Sequence, residues 1–500
     1  MSKLYKKMFI GIVFLIFVVI LCGCQESPIN NTVITKNDGS FDVDVIVSNN
    51  ESEETSKIET FRYEDSFYSM DGSVIYKFDL NDCFDLSKSP VVQVSPHNIT
   101  SEDAKKIAES FFGDATWYLA QPEEQLTKAE IESKISLWSK YLNADELRSL
   151  YGDSLTNSEI NEWQNMIENV IKNYSESLPT APETINKFIC DWTFHPASYY
   201  LYTEAELSSM KKNGVENQEI VATTEIGEIP YKIMISNRDE DDYKIHNISI
   251  FIQPIGTATN LISSAIKYSL CKSESPSKAQ LERVQQKALS ILNSTGLGTW
   301  EINSCYSKEL EIGREPAYKI CINAVPTFNG VKAVPQQQLE NLKSTEVYAS
   351  NYYYTDANFE FSPDGTLLSC SIISPVDVTQ VINNNVQTLS FEKILEIAKN
   401  NFMLRDYYEY AQNVLFDENM KFNCNVTITN AEYGLTRVKA PNTNNSYYYV
   451  PAVTFRGNYQ AFENSSGDLW FDSFEWWGEP QTLLVLNAID GTVINVTNGY

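Results

Sequence analysis

Three segments of this 500-residue chain share a pattern that restricts the folds it can adopt. Each begins with a helix start signal, at Thr100, Ser277 or Ser390, and continues with apolar residues at the spacing of an amphipathic helix. Gly113 and Gly296 follow the first two segments and are typical of helix ends. Each predicted helix has about three turns and is followed by alternating β-rich runs.

Four Asp-Gly pairs lie between extended runs of the chain, at 38–39, 71–72, 364–365 and 490–491. Asp-Gly supplies the positive φ that a tight hairpin turn needs. Together with the helices, these turns predict an α+β fold built from repeated units. In each unit, one helix packs on a twisted antiparallel sheet.

A helical insertion is expected in the first unit. Start signals with a Glu three residues after Thr or Asn predict helices at 128–141, 144–151 and 158–175. Later β-rich runs predict strands near 189–194, 218–224, 229–236 and 243–253, with a short helix near 204–213.

Polar or Pro/Ser-rich stretches at 272–276 and 384–388 indicate domain boundaries. They divide the folded part into an α+β domain with the helical insertion over 58–272 and two α+β units over 273–385 and 386–500.

The first 23 residues have the features of a signal peptide. Three lysines precede an apolar run at 9–21, which is shorter than the ~20 residues that a membrane-spanning helix needs. The run ends in LCGC at 21–24, which resembles the bacterial lipobox. The resemblance implies cleavage after Gly23 and diacylglycerol on Cys24, which would hold the chain on the outer face of the cell membrane. Residues 24–57 are expected to form a tether and an N-terminal hairpin.

The charge of the chain limits its partners. The net charge of −28 becomes −31 if the three lysines of the signal peptide are removed. An acidic surface of this kind repels phosphate backbones, so a nucleic-acid partner is not expected. Attachment to the membrane is expected through the lipid on Cys24 and not through anionic headgroups.

Motifs for catalysis or cofactor binding are missing from the sequence. It contains no H-E-x-x-H, G-x-S-x-G, G-x-G-x-x-G or Walker-type pattern. His97, His195 and His246 are far apart and none belongs to a Cys/His cluster with zinc spacing, so structural roles are expected. The acidic run at 239–242 favours a solvated hairpin tip. We therefore expect no catalytic residue, no metal and no cofactor.

Seven cysteines follow Cys24 without a C-x-x-C pattern. The stretches 300–307 and 316–324 are predicted to form a hairpin that turns near Gly313. Cys305 and Cys321 lie symmetrically about that turn, so they are a candidate disulfide pair.

Aromatic residues are dense in the last third of the chain. Consecutive strand residues point to opposite faces, so the run at 447–449 cannot bury every ring on one side of a sheet. Either a second layer covers the other face, as in core packing between domains, or some rings are exposed. The candidate partner or ligand surface consists of Trp470, Phe474, Trp476, Trp477, Tyr447 and Tyr449.

Two segments resemble a known domain family. The sequence ITSEDAKKIA at 99–108 resembles the opening of PepSY-like domains, and LVLNAIDGTVI at 484–494 resembles their terminal hairpin. The layout is also similar to extracytoplasmic regulators of the YycH/YycI type and to uncharacterised clostridial surface lipoproteins. The resemblance covers about half of the chain. It implies inhibition or regulation of a partner, such as a protease or a sensor kinase, without catalytic residues. The chain differs from the YycH/YycI type because it begins with a lipobox instead of a membrane-spanning anchor.

These features predict a lipid-anchored extracytoplasmic protein that binds or regulates an envelope protein by direct contact. One alternative is an envelope hydrolase that uses paired carboxylates, with Glu475 and Glu479 as first candidates. Another is a solute-binding lipoprotein, but that class usually has alternating β-α-β halves, unlike the helix-then-strands order here. The sequence leaves the partner, the ligand and the oligomeric state open.

Overall fold

The computed structural model of the chain is an α+β fold. It describes residues 58–494 apart from 71, 73, 86–87, 121–125, 152–154, 201–216, 241–242, 253–258, 311–314, 335–354, 405–421, 441–445, 465 and 475–479. Within these residues the chain forms seven helices and two large sheets whose strand pairs are antiparallel with one exception. The predicted fold class is therefore confirmed.

The seven described helices are α1 (Ser101–Phe112), α2 (Lys128–Lys140), α3 (Ala144–Tyr151), α4 (Asn157–Ser177), α5 (Thr259–Cys271), α6 (Lys278–Thr295) and α7 (Phe391–Leu404). Local sequence signals indicate six of the seven, all except α5. Four of them begin with a capping box, in which the side chains of the cap and the third helical residue bond reciprocally to backbone amides. The predicted helical insertion is confirmed as α2, α3 and α4. The short helix expected at 204–213 lies outside the described residues.

Eight strands form the first sheet, and strands are numbered along the whole chain. They are β1 (Ile58–Tyr68), β2 (Val74–Asp85), β3 (Val91–Pro96), β14 (Val376–Asn383), β15 (Phe422–Lys439), β16 (Tyr447–Glu463), β17 (Leu469–Asp472) and β18 (Gln481–Asn487). The order is β1-β2-β15-β16-β3-β14, and β17 and β18 also pair with β16. The pair β2–β15 is parallel.

Ten strands form the second sheet. They are β4 (Tyr118–Leu119), β5 (His195–Pro196), β6 (Gln218–Ile226), β7 (Ile229–Glu240), β8 (Tyr243–Ile252), β9 (Trp300–Glu309), β10 (Tyr318–Phe328), β11 (Val331–Lys332), β12 (Asp356–Phe361) and β13 (Leu367–Ile373). The order is β11-β10-β12-β13-β8-β7-β6-β4. The prediction of a strand at 189–194 is wrong, because this stretch contributes only an isolated bridge between Ile189 and Tyr118.

The Asp-Gly turns behave as expected where they are described. Gly365 has a φ of 92° between β12 and β13, and Gly491 has a φ of 77° where the chain turns back after β18. The turn at 38–39 lies outside the described residues.

Strand pairing joins distant parts of the chain. The eight-stranded sheet combines strands from 58–96 with strands from 376–487, whereas the ten-stranded sheet uses the chain between them. Pairing therefore crosses the boundaries expected near 272–276 and 384–388, and those limits stay predictions of domain organisation.

Helices cover one face of each sheet. Helices α1 and α6 pack together on the ten-stranded sheet. Ile107 of α1 and Leu292 of α6 are fully buried in the core that they share with the sheet. Helix α7 packs on the eight-stranded sheet through Ala398 and Phe402. Helices α2, α3 and α4 form a separate small core around Trp138 and Leu147. No helix in the described part of the chain is both long and apolar enough to cross a membrane.

A further cluster of buried residues, which we call the junction, connects the two sheets. Residues of the eight-stranded sheet pack there against residues in and directly after strands of the ten-stranded sheet. The first group consists of Val92, Val94, Tyr447 and Tyr449, and the second of Val325, Phe328 and Ala333. A parallel bridge between Ala333 and Leu435 adds backbone pairing at the same place. The junction thus covers a part of the eight-stranded sheet that α7 does not cover.

Candidate functional site

The described part of the predicted aromatic surface lies on β17 and the residues after it. Leu469, Trp470 and Phe474 are 46%, 49% and 48% exposed. Strand β17 pairs with the end of β16, where Gln460 faces Asp472 and Phe462 faces Leu469. We call Leu469, Trp470 and Phe474 the aromatic ridge.

The two aromatic residues of β17 differ in their exposure. Phe471 packs beside the core of the eight-stranded sheet, with its ring 5.8 Å from that of the buried Tyr459. Trp470 is half exposed and is the extra residue where the register between β17 and β16 shifts, since Phe471 pairs with Ala461 and Leu469 with Phe462. A partly buried ring and a half-exposed ring thus lie next to each other on β17.

Three hydrogen bonds to two side chains order the backbone at the end of the strand. The fully buried Ser473 hydroxyl accepts a hydrogen bond from the amide of Tyr459 at 2.8 Å. The Asp472 carboxylate accepts one from the amide of Phe474, also at 2.8 Å, and a second from the Gln460 side chain at 2.7 Å. This type of Asx turn orders the segment, so Phe474 is presented on an organised backbone.

Acidic residues flank the aromatic ridge in the sequence. Asp468 directly precedes it, and Glu463 accepts a hydrogen bond from Ser466 in the turn that connects β16 to β17. Residues 463–479 contain five carboxylates and no Lys or Arg. The ridge is therefore an apolar surface in a negative field.

Tyr447 and Tyr449 do not belong to this surface. They are 2% and 1% exposed, and the Tyr449 ring lies 4.3 Å from that of Phe328 in the junction. The neighbouring Tyr448 is also buried, but in a different cluster on the opposite face. The run at 447–449 buries all three rings because both faces of β16 are covered here. This corrects the assignment of Tyr447 and Tyr449 to a surface.

Several other predicted site residues lie outside the described part of the chain. They are Cys24, Trp476, Trp477, Glu475 and Glu479. Lipidation at Cys24 and the carboxylate pair of a hydrolase accordingly stay predictions.

Cys305 and Cys321 do not form the expected disulfide. Both are free, and β9 and β10 pair with Cys305 opposite Ile322 and with Cys321 opposite Tyr306. The register is one residue away from symmetry about Gly313, so the two cysteines point to opposite faces of the sheet.

Burial disfavours thiolate chemistry at two of the described cysteines, and carboxylates hold one of the histidines in place. Burial raises the pKa of the Cys190 thiol to about 11 and that of Cys271 to about 12, so neither is a ready thiolate nucleophile. His97 contacts Asp377 at 2.9 Å and Asp103 at 3.5 Å, which places it between β14 and the start of α1.

The two remaining histidines lie in the ten-stranded sheet. His195 stacks on Tyr199 with ring centroids 4.4 Å apart, and His246 is part of β8. Among the described residues, no three His, Cys, Asp or Glu side chains lie close enough together to hold a metal ion.

A buried polar group that no sequence motif indicated lies at the junction. The guanidinium of Arg437, a buried residue, lies 4.2 Å from the centre of the Tyr447 ring. Nearby, burial raises the pKa of Asp356, although its carboxylate accepts hydrogen bonds from Asn358 and Asn323 at 2.9 and 3.3 Å. The only sequence signal was a charged residue within an otherwise uncharged stretch of strand at 433–438.

Comparisons with known proteins give little similarity. No protein-family model matches the chain, and no curated protein matches it. A crystal structure of an uncharacterised protein from Eubacterium rectale has 8% identity over 86% of this chain and 93% of that chain, with a TM-score of 0.39. The Bacillus megaterium YpeB C-terminal domain has 9% identity over 54% of this chain and 87% of that chain, with a TM-score of 0.22. The PepSY-like assignment stays a prediction.

Proposed function

We propose that this chain is a lipid-anchored extracytoplasmic protein that binds or regulates an envelope protein by direct contact. Two features support the proposal: the lipobox-like LCGC at 21–24 and the aromatic ridge. In this scheme the lipid on Cys24 keeps the protein at the membrane while the folded sheets project outward.

The exposure of the aromatic ridge carries the proposal. Trp470 and Phe474, each about half exposed, follow the exposed Leu469 within five positions of the chain, and a hydrogen bond orders the backbone at Phe474. Large aromatic side chains dominate the energetics of protein interfaces, because they bury much apolar area with few rotatable bonds.

The charges around the aromatic ridge define the chemistry of the partner. The carboxylates of Glu463, Asp468 and Asp472 would face the rim of the interface, so the partner is an envelope protein with Lys or Arg around an apolar pocket. Such an interaction should become weaker as salt screens the charges, and the apolar centre should keep part of the affinity.

The contact can be tested in membranes of cells that produce the full chain. Trp470→Ala should release one envelope protein that co-purifies with the wild-type chain, and the purified pair should lose about 2 kcal/mol, or roughly 30-fold in affinity. Tyr306→Ala is the matched control, since Tyr306 is similarly exposed on a different sheet. If no partner depends on Trp470, or if both variants lose it equally, the aromatic ridge is not the interface.

The anchor needs a separate test. Cys24→Ala should leave the chain at its precursor mass and without acyl label, whereas the wild-type chain should carry lipid and lack residues 1–23. An unlabelled wild-type chain of full precursor mass would exclude lipid anchoring but would leave the interface test unaffected.

A further inference from the structure

The two edges of the eight-stranded sheet differ in their protection. Among the described residues, β1 and β14 end the path of paired strands. Strand β1 presents exposed charged side chains, including Arg62 and Glu64, of the kind that blunts an edge against unwanted pairing. Strand β14 has one charged residue, Asp377, and it is held by His97 at 2.9 Å. One edge is thus charged and the other is nearly neutral.

Strand β14 is exposed on both faces. Its five residues from Asp377 to Val381 are all exposed, and Val378 and Val381 are 50% and 44% exposed. A strand with apolar side chains and unpaired backbone groups is a template for another strand. The question is which strand fits it.

Two bulges determine where the side chains of β14 point. Pairing with β3 places Val378 opposite Val94 and Val381 opposite Val92, with Thr379 as an extra residue between them. Both exposed valines therefore share the face of Val92 and Val94, although three positions separate them. They extend the apolar row of the junction to the edge of the sheet.

We propose that β14 pairs with β14 of a second copy of this chain, antiparallel about a two-fold axis at Gln380. If the extra residue of each bulge is left out when opposed positions are counted, Val378 faces Val381 of the second copy. The two-fold symmetry then also places Val381 opposite Val378 of the second copy. Asp377 faces Asn383 of the second copy, so no two like charges are opposed. The strand is self-complementary in this register.

Charge favours this edge over the charged edge at β1. Two chains with a net charge of −28 repel each other, so they associate best where each carries little charge. A contact of about six residues per strand is well below the roughly 800 Å² per partner of a stable interface. The dimer is therefore weak and reversible, and it uses a surface separate from the aromatic ridge.

A single cysteine at the two-fold axis tests the register. Directly opposed residues in an antiparallel pair have Cα atoms about 4.5 or 5.5 Å apart, within the roughly 4.4–6.8 Å that a disulfide spans. Cells that produce the full chain with Gln380→Cys are oxidised, and the membranes are analysed on non-reducing gels. Ser66→Cys, at an exposed position on β1, is the matched control, and the wild-type chain controls for native cysteines.

The proposal expects a reducible species of twice the chain mass with Gln380→Cys and none with Ser66→Cys. Adding Val378→Lys to the Gln380→Cys chain should lower the yield on the order of tenfold, because an ammonium would replace the apolar contact. The proposal is overturned by equal yields from the two cysteine positions, by the absence of a doubled mass, or by a conjugate of another mass. The last result would identify a different protein at this edge.

Discussion

Replacing Phe402 by Ala tests how the C-terminal helix is packed. Phe402 lies in α7 and is fully buried. Its ring centroid is 5.4 Å from that of Tyr76, 5.7 Å from that of Phe78 and 6.4 Å from that of Phe455. These partners belong to β2 and β16, so one side chain connects the beginning and the end of the described chain.

The expected loss follows from burial and from the cavity that remains. Burying a Phe side chain contributes roughly 1.5–3 kcal/mol through the hydrophobic effect. An incompletely collapsed cavity adds about 24 cal/mol per Å³, which for a space of about 80 Å³ is ~2 kcal/mol. We therefore expect Phe402→Ala to lower the free energy of unfolding by about 3–5 kcal/mol. For a cooperative unit of roughly 200 residues, this corresponds to a midpoint lower by about 6–20 °C.

Calorimetry and urea unfolding of the purified chain measure this loss. The matched control is Phe474→Ala, which removes the same atoms from a half-exposed position and should change the free energy of unfolding by less than about 0.5 kcal/mol. A loss below about 1 kcal/mol for Phe402→Ala would show that α7 does not pack on β2 and β16. Equal losses for the two variants would refute the assignment of Phe402 to the core and Phe474 to the surface.

Three further predictions concern an ion pair, a helix cap and the cysteines. The Lys399 ammonium lowers the pKa of Asp65, so Asp65→Asn should destabilise the folded chain at pH 7. In thermal unfolding, the difference in stability between Asp65→Asn and the wild type should shrink as the pH falls below about 4, because Asp65 of the folded wild type then becomes protonated. Thr127→Ala removes a capping box and should cost about 1 kcal/mol, with earlier loss of helical circular dichroism in denaturant. Alkylation of the unfolded, non-reduced chain should label Cys305 and Cys321 as free thiols, and a linked peptide would contradict the one-residue register.

Helix positions could be predicted because their signals are local. A capping box joins atoms only three residues apart, as between Thr100 and Asp103 or between Ser277 and Gln280. The apolar spacing within each helix then defines the buried face without knowledge of its partner. Helix α5 was missed, since no comparable cap precedes Thr259 in the sequence.

Strand partners could not be predicted because they are distant in sequence. Alternation identifies the two faces of a strand but not the strand beside it. Strand β2 pairs in parallel with β15, so Val74 lies beside Cys424. Nothing near either position indicates the other, and composition alone therefore placed boundaries across which the sheet continues.

Register is decided by single residues, and that limits any inference about opposed side chains. Symmetry about Gly313 predicted a Cys305–Cys321 pair, whereas the actual pairing is offset by one residue. Because strand side chains alternate with a period of two, an offset of one reverses every face. The bulge at Thr379 has a different effect. Val378 and Val381 are three positions apart and would point to opposite faces of a regular strand, but the bulge places both on one face.

Aromatic content alone did not identify the surface. Tyr449 and Trp470 both occur in aromatic runs on strands of the same sheet, yet one is buried in the junction and the other is half exposed. The difference is the second layer: the ten-stranded sheet covers β16 near Tyr449, and it does not cover Trp470 on β17. Exposure therefore depends on how two sheets meet, which only non-local pairing determines. For the same reason, the two surfaces proposed for binding lie on β17 and β14, where the layers end.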